Sequence, residues 1–336
     1  MYRAVLLALL TLSASARLHG LEKKVTINEL ELFNGFQNFT KTFDKNYASL
    51  EEAFQRYQVY KANQLRLQEL QQSEQGTATY GETQFMDLTP EEFRTFYLSN
   101  ITVDSIPMRK LTVEELKELK SDAPTSLDHR QNGFVTGVKD QGKCGACWAF
   151  SVVGNIEGLW KKKSGDLVRL SEQELVDCDR RDKGCQGGNM LVTYSEIIRL
   201  GGLVKEEDYP YKGRNERCNL ERNQIVAKID SFVHINQNEE TIKQYLYEHG
   251  PISVGINANP LQYYSRGVFH PTSSRCSPRG LNHAVTLVGY GVDGKDPYWL
   301  VKNSWGTRWG ENGYFRIYRG ANVCGIAAFA TSAVIN

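Results

Sequence analysis

The sequence lacks an excess of charge of either sign and also lacks long apolar runs. Its 336 residues include 40 Lys and Arg against 39 Asp and Glu, a formal net charge of +1. Electrostatic binding to nucleic acid or to an anionic membrane requires a basic surface, so neither partner is expected. The 40% of hydrophobic and 24% of charged residues are typical of a soluble globular protein.

The apolar run near the start, from Val5 to Leu12, is too short for the roughly 20 residues of a membrane-spanning helix. It follows Arg3 and precedes small residues ending at Ala16, which is the three-part pattern of a secretory signal. The sequence therefore predicts a signal peptide over residues 1–16, no membrane span, and a destination in the lysosome or outside the cell.

Cysteine is missing from the first part of the chain. None precedes Cys144, and in an oxidising compartment six of the seven are expected to form three disulfides, with one left free. The two parts of the chain are therefore expected to be stabilised by different means. The seven are Cys144, Cys147, Cys178, Cys185, Cys218, Cys276 and Cys324.

The cysteine-free part is polar and helical in character. Residues 51–72 contain no Gly or Pro and repeat large side chains at helical spacing, so they predict an exposed amphipathic helix. A second helix is predicted after Thr89, which can cap it, with Pro90 in its first turn. Residues 106–124 are charged and poor in apolar side chains. They indicate a linker or a short surface helix that a protease could cut.

Beyond about Ala123 the sequence changes to glycine-rich turns, cysteines and β-branched runs. A helix is predicted from Cys147, with apolar residues at helical spacing, three lysines near its end and then Gly165. A helical region followed by a strand-rich region predicts an α+β fold. The strand candidates are PISVGI, HAVTLVGY, PYWLVKNSW and YFRIYR.

Two cysteines three residues apart, Cys144 and Cys147 in QGKCGACWAF, admit three interpretations. A zinc site would need a second ligand pair at matching spacing, and no second CxxC exists. A redox pair would leave five cysteines, an odd number, for structural bridges. The third interpretation is a bridged Cys144 beside a free, reactive Cys147.

Cys147 lies where a loop meets the predicted helix, near unpaired N–H groups and the positive end of the helix dipole. Only the thiolate is nucleophilic. Ionising a thiol of pKa about 8.5 at pH about 5 costs roughly 4.8 kcal/mol, whereas a helix end supplies at most about 2 kcal/mol. An imidazolium is therefore required as a second positive group. His283 begins an apolar strand, and Asn303 on the next strand can orient its ring.

Four motifs in order make the chain resemble the papain family of cysteine proteases: QGxCGxCWAFS, GCxGG over residues 184–188, NHAV, and NSWGxxWGExGY from Asn303. His283 and Asn303 follow Cys147 by about 136 and about 156 residues, near the family's range. The resemblance implies that Cys147 is the nucleophile, that His283 is the general base and then acid, and that Asn303 orients His283. It also implies that Gln141 donates its amide to the oxyanion.

The resemblance further implies two lobes, one helical and one strand-rich and barrel-like, with a peptide-binding cleft between them. Trp305 would shield the bond between Asn303 and His283 and border the leaving-group side. The apolar pocket residues predict a preference for Leu, Phe or Val two positions before the cut. The implied substrate-binding residues are Gly187, Gly188, Met190, Gly255, Ala284, Trp305 and Phe329. The implied disulfides are Cys144–Cys185, Cys178–Cys218 and Cys276–Cys324.

The region before Ala123 resembles the family's inhibitory propeptide, and is most similar to its cathepsin F-type members. The matching positions are Glu52, Arg56, Tyr60, Asn63, Leu67, Gln71, Gly81, Thr83, Phe85 and Asp87. In relatives this propeptide runs backwards through the cleft and keeps the zymogen inactive. The implied division is a propeptide over residues 17–122 and a mature peptidase domain over residues 123–336, with activation by a cut near residues 121–123.

Sequons at Asn38 and Asn100 predict glycans on the propeptide. No cofactor or metal is expected. The expected partners are protein and peptide substrates, the propeptide itself and cystatin-like inhibitors, and the enzyme is expected to be a monomer. Exopeptidase relatives carry an extra loop with paired histidines, which this sequence lacks, so endopeptidase activity is expected.

Two alternatives to a working protease remain open at this stage. An inactive homologue that binds peptides is disfavoured because Gln141, Cys147, His283 and Asn303 are all present. A thiol–disulfide oxidoreductase would require Cys144 to be free.

Overall fold

The computed structural model describes residues 29–101, 109–119, 122–235 and 237–336. The predicted signal segment 1–16 and residue 121 at the expected activation cut lie outside these ranges. Within them, no helix combines the length and apolar character needed to cross a membrane. The described α-helices are α1 Glu29–Thr42, α2 Leu50–Ser73, α3 Pro90–Tyr97, α4 Val113–Glu118, α5 Cys147–Ser164, α6 Glu172–Cys178, α7 Met190–Leu200 and α8 Glu239–His249.

Helices α1 and α2 pack together through an aromatic core. The rings of Phe36 and Phe39 on α1 contact the ring of Tyr60 on α2, and all three side chains are buried. The helix predicted over residues 51–72 is therefore confirmed, although one of its faces is covered by α1. The start of α3 is also as predicted, because Thr89 caps it in a capping box.

Helix α5 forms the centre of the helical lobe. Its residues Trp148, Val152 and Ile156 are inaccessible to solvent. The helix ends at Gly165, whose φ of 85° is a left-handed conformation that glycine adopts without a steric penalty. The helix predicted from Cys147 is therefore confirmed at both ends.

The strands form one large, mostly antiparallel sheet and two small ribbons. The large sheet has the order β5-β12-β6-β9-β10-β11-β8, with β2 paired to β9. One ribbon pairs β1 with β7, and the other pairs β3 with β4. The strands are β1 Thr79–Tyr80, β2 Leu127–Asp128, β3 Leu203–Val204, β4 Ile225–Ala227, β5 Ser231–Ile235, β6 Ile252–Ile256, β7 Tyr264–Arg266, β8 Val268–Phe269, β9 His283–Asp293, β10 Asp296–Lys302, β11 Tyr314–Tyr318 and β12 Ala330–Val334.

The helical lobe and the sheet meet along α5. Ser151 donates a hydrogen bond of 2.6 Å to the carbonyl of Val285 on β9, and Asn155 donates one of 2.7 Å to the carbonyl of Pro251. Helix α5 begins at Cys147 and β9 begins at His283. The α+β fold therefore brings the start of a helix in one lobe to the start of a strand in the other.

Candidate active site

Cys147 is the first residue of α5 and is completely buried. The N-cap residue, Ala146, supplies no side-chain hydrogen bond, so the first N–H groups of the helix are left to other acceptors. Burial raises the pKa of the Cys147 thiol, and hydrogen bonding from Ser99 and from the backbone of Ala284 and Trp148 acts to lower it. The site therefore provides hydrogen-bond donors from both lobes to one sulfur atom.

The other six cysteines are joined in pairs, and Cys147 is free. Because Cys144 is bonded, it cannot act as the second thiol of a redox pair with Cys147, and the oxidoreductase interpretation is wrong for this structure. The pairs are those that the family resemblance implies: Cys144–Cys185, Cys178–Cys218 and Cys276–Cys324.

His283 and Asn303 lie next to each other because they begin β9 and follow β10, two paired antiparallel strands. His283 Nε2 lies 2.8 Å from Asn303 Oδ1, which also accepts the N–H of Ser304 at 2.8 Å. An amide oxygen only accepts hydrogen bonds, so Nε2 carries the proton and Nδ1 is the basic nitrogen. The imidazole stacks on Trp305, with ring centroids 4.6 Å apart. This buried indole covers the His283–Asn303 pair.

Burial favours the neutral form of both reactive groups in this structure. It raises the pKa of the Cys147 thiol, and the hydrogen bonds to the sulfur oppose that change. Burial also lowers the pKa of His283 to about 4, against the opposing effect of its hydrogen bond with Asn303. Opening the site to solvent therefore favours the thiolate–imidazolium pair.

A segment from the N-terminal part of the chain covers the site. Residues 97–101, here called the cleft segment, begin at the last residue of α3, and Ser99 Oγ lies 3.4 Å from Cys147 Sγ. The Ser99 N–H donates to the carbonyl of Asn282 at 2.8 Å, and the Ile101 N–H donates to that of Leu281 at 3.1 Å. The cleft segment is thus held as an extended chain directly over the sulfur.

Gln141 faces the same segment. Its Nε2 donates to the carbonyl of Cys144 at 2.9 Å and to the carbonyl of Tyr97 at 3.2 Å, while its Oε1 accepts the hydroxyl of Ser304 at 2.7 Å. The amide that the resemblance assigns to the oxyanion is therefore already directed at a peptide carbonyl of the cleft segment.

Ile101 occupies the predicted specificity pocket. It is buried in one apolar cluster with Met190, Ala284 and Phe329. A Cβ placed on Gly255 would lie 3.6 Å from both Ile101 Cδ1 and Phe329 Cβ. The four predicted pocket residues are thus brought together by the fold around a branched apolar side chain.

The glycines of the GCxGG motif allow the close approach of the cleft segment. Gly187 has a φ of 113°, and a Cβ there would lie 2.9 Å from Ser99 Cβ. A Cβ on Gly188 would lie 2.6 Å from the Trp148 ring. Both distances are shorter than side chains tolerate, so a larger residue at either position would displace the cleft segment or the tryptophan.

Sequence reasoning missed Tyr97, Ser99 and Ile101. No motif marks them, and the sequence signal is limited to the apolar Leu98 and Ile101 on either side of the polar Ser99 and Asn100. Sequence reasoning did include Phe85, whose ring contacts three others. Its ring centroid lies 4.6 Å from that of Tyr97 and 5.4 Å from that of Trp305. The N-terminal helices are thereby joined to the catalytic region.

Comparisons with known proteins agree with this geometry. Residues 123–334 match the model of papain family cysteine proteases, and residues 36–93 match the cathepsin propeptide inhibitor domain (I29). The chain belongs to the papain family of cysteine proteases, and the predicted resemblance is confirmed.

Two similar proteins are Cathepsin F of Mus musculus, 46% identical over 90% of this chain, and Cathepsin F of Drosophila melanogaster, 43% identical over 89% of it. The match spans 64% of the mouse protein and 50% of the fly protein. Digestive procathepsin L2 of Tenebrio molitor has a similar structure, with a TM-score of 0.83 and 33% identity over 90% of this chain and 100% of that one. The predicted α+β, papain-like fold with an N-terminal helical propeptide is confirmed.

Proposed function

We propose that this chain is the precursor of a cysteine endopeptidase. The thiol proton of Cys147 passes to His283 Nδ1, and the thiolate Sγ then attacks the carbonyl carbon of a peptide bond. The imidazolium then returns that proton to the leaving amine as the C–N bond breaks, which leaves an acyl-enzyme. Water hydrolyses the acyl-enzyme with His283 as base. Asn303 holds the imidazole in the required tautomer, and Gln141 with the Cys147 N–H stabilises the oxyanion.

The observation that carries this proposal is the cleft segment. A peptide backbone of the chain itself lies over the sulfur, with Tyr97 O at Gln141 and Ile101 in the apolar pocket. In a substrate bound in the productive direction, the carbonyl of the residue immediately before the cut would lie at Gln141. The side chain of the residue preceding that one would lie in the pocket. The cleft segment passes these places in the opposite order, so it occupies the cleft without offering a bond for attack. Replacing the sulfur of Cys147 with oxygen tests the activity.

The division into a signal peptide at 1–16, an inhibitory propeptide at 17–122 and a mature domain at 123–336 is part of the proposal. It is supported by the two family matches, which end at residue 93 and begin at residue 123. Asn38 and Asn100 are exposed, which suits glycosylation in the secretory pathway. A lysosomal or extracellular destination, a monomeric state and inhibition by cystatin-like proteins are proposed from the resemblance alone.

Substrates with Leu, Phe or Val two positions before the cut should be hydrolysed at least about tenfold faster than those with Arg there. Met190, Gly255, Ala284 and Phe329 offer no carboxylate to a guanidinium, and burying an unpaired charge is costly. A peptide library varied at that position and assayed with the activated enzyme measures the preference. The same library varied at the residue immediately before the cut is the control, and a preference for Arg in the pocket position would contradict the assignment.

Acid should loosen the cleft segment. The pKa of His283 is about 4 when covered and would return toward about 6.5 when uncovered. The open form therefore binds one more proton between these values. The contribution of His283 to the free energy of closure is fully present above about pH 6.5. Up to about 3 kcal/mol of it is lost as the pH falls toward 4. Hydrogen exchange of the Ser99 and Ile101 amides in a Cys147→Ser precursor, corrected for intrinsic rates, should show faster opening at pH 4.5 than at pH 7.

The control for this effect is the same precursor with His283→Gln, which cannot titrate. Opening of this variant should depend less on pH. If its pH dependence is unchanged, groups other than His283 cause it. Two carboxylates in the N-terminal part of the chain, Asp87 and Glu52, are held by hydrogen bonds. Asp87 accepts hydrogen bonds from Lys45 and Tyr47, and Glu52 accepts the N–H of Ala48 at 2.7 Å.

A further inference from the structure

Residues 109–119 pack on the peptidase domain against a different apolar cluster from the one that holds Ile101 of the cleft segment. The sequence indicates a linker or an exposed helix there, but the structure shows three leucines of this segment, called the anchor segment, in contact with the main apolar core. The surface beneath it includes β5, the first strand of the large sheet. Strand β12 separates β5 from β6, which carries Gly255 of the specificity pocket. The His234 ring of β5 lies 5.8 Å from the Phe329 ring of the pocket.

The first part of the anchor segment extends the sheet. The His234 N–H on β5 donates to the carbonyl of Arg109 at 2.8 Å, and Lys110 forms a parallel bridge with His234. Because β5 lies at the end of the sheet order, its outer edge would otherwise present backbone groups to solvent. Pairing of an extended peptide with such an edge is a common mode of peptide recognition.

The second part of the anchor segment is the short helix α4. Leu119 is buried, and Leu111 and Leu116 pack against the cluster that includes Val233 of β5 and Tyr245 of α8. This surface thus combines the outer edge of a strand with an apolar patch that the leucines contact. Together they suit a peptide with an extended stretch followed by one amphipathic helical turn.

The helix would not be stable without that surface. Six residues are too few for an isolated helix in water. Thr112 and Glu115 form a capping box, with the Thr112 N–H donating to Glu115 Oε2 at 2.8 Å, and Arg109 pairs with the same carboxylate. These local bonds fix the shape of the segment, while the leucine contacts hold it to the domain.

We propose that the β5 edge and the adjoining apolar surface form a second peptide-binding site on the peptidase domain, whose ligand is the anchor segment, residues 109–119. A peptide bound at this second site does not itself enter the cleft. The N-terminal part of the chain therefore has two separable functions. The cleft segment blocks Cys147, and the anchor segment attaches without blocking. The proposal concerns binding, so it can be tested whether or not the enzyme hydrolyses peptides.

The first test uses the full-length chain with Cys147→Ser. The double change Leu116→Ala and Leu119→Ala should make the His234 amide exchange at least about tenfold faster, while the Ser99 and Ile101 amides keep their protection. Lys117→Ala, an exposed change on the same helix, is the matched control and should alter neither. Equal loss of protection at both places would show that the two segments do not attach independently. Unchanged exchange of the His234 amide would show that the leucines do not hold the anchor segment to β5.

The second test asks whether the surface binds its ligand when the two are not connected. Enzyme obtained by processing the full chain is titrated with a fluorescent peptide of residues 108–120. Saturable binding with a Kd on the order of 10 to 100 µM, unaffected by an epoxide that occupies Cys147, is expected. The same peptide with both leucines replaced by alanine should not bind. Absence of saturation by about 1 mM, or competition with the epoxide, would contradict the proposal.

Discussion

Replacing Cys147 with serine is expected to lower kcat for peptide hydrolysis by about 10^4-fold or more. The site supplies a thiol at the start of α5 with backbone N–H groups from Ala284 and Trp148 directed at it. A serine hydroxyl ionises far less readily, and neutral imidazole in this arrangement lacks the additional carboxylate of serine-dependent triads. Removing a nucleophile from such a unit typically removes nearly all of its catalysis.

The measurement is hydrolysis of a dipeptide amide with leucine in the pocket position. Because the variant cannot process itself, both it and the unchanged enzyme are released from the precursor by an unrelated protease that is then removed. Arg222→Ala, an exposed change in a surface turn, is the control and should retain full activity. Serine enzyme that keeps more than about 1% of the activity, with its disulfides intact, would contradict the assignment of Cys147.

Replacing Phe85 with alanine should open the cleft of the intact precursor. Phe85 is inaccessible to solvent, and its ring lies between those of Phe93 and Tyr97 and the indole of Trp305. Truncating a buried phenylalanine typically costs about 3 to 5 kcal/mol. The contact with Trp305 joins the N-terminal part of the chain to the catalytic region, whereas the contacts with Phe93 and Tyr97 lie within the N-terminal part. Because only part of the loss falls on closure, the open population should rise by roughly 10- to 10^2-fold.

The measurement is the rate at which a thiol-directed epoxide modifies Cys147 in full-length precursor at pH 7. Closed molecules should react slowly, because Ser99 covers the sulfur, and the rate should follow the open population. Phe54→Ala removes an exposed ring from the same group of helices and should leave the rate unchanged. If both variants react at the rate of the unchanged precursor, the aromatic contacts with Trp305 do not close the cleft.

Much of the local structure could be read from the sequence because short-range rules govern it. Thr89 and Pro90 mark the start of α3, and the glycine after three lysines marks the end of α5. Alternation and β-branching identify β6, β9 and β10. The odd number of cysteines predicts three disulfides and one free thiol, whereas only the family resemblance implies which cysteines pair.

Sequence reasoning failed where a segment takes its conformation from distant partners. The charged composition of residues 106–124 indicates a linker or a surface helix. Leu116 and Leu119 nevertheless pack in the apolar cluster that includes Val233 of β5 and Tyr245 of α8, more than 100 residues away along the chain. The cleft segment has no periodicity of its own, and its extended form is set by the carbonyls of Leu281 and Asn282.

The sequence by itself determined the family, the α+β class and the residue types from which a thiol protease site can be built, because these depend on motifs and on local backbone preferences. Only the tertiary structure decided that Cys147 and His283 are buried, which favours their neutral forms, and that residues 109–119 pair with β5. The physical reason is that burial and edge pairing depend on which distant surfaces meet. Side-chain ionisation and strand addition respond to those surfaces and not to neighbours in the chain.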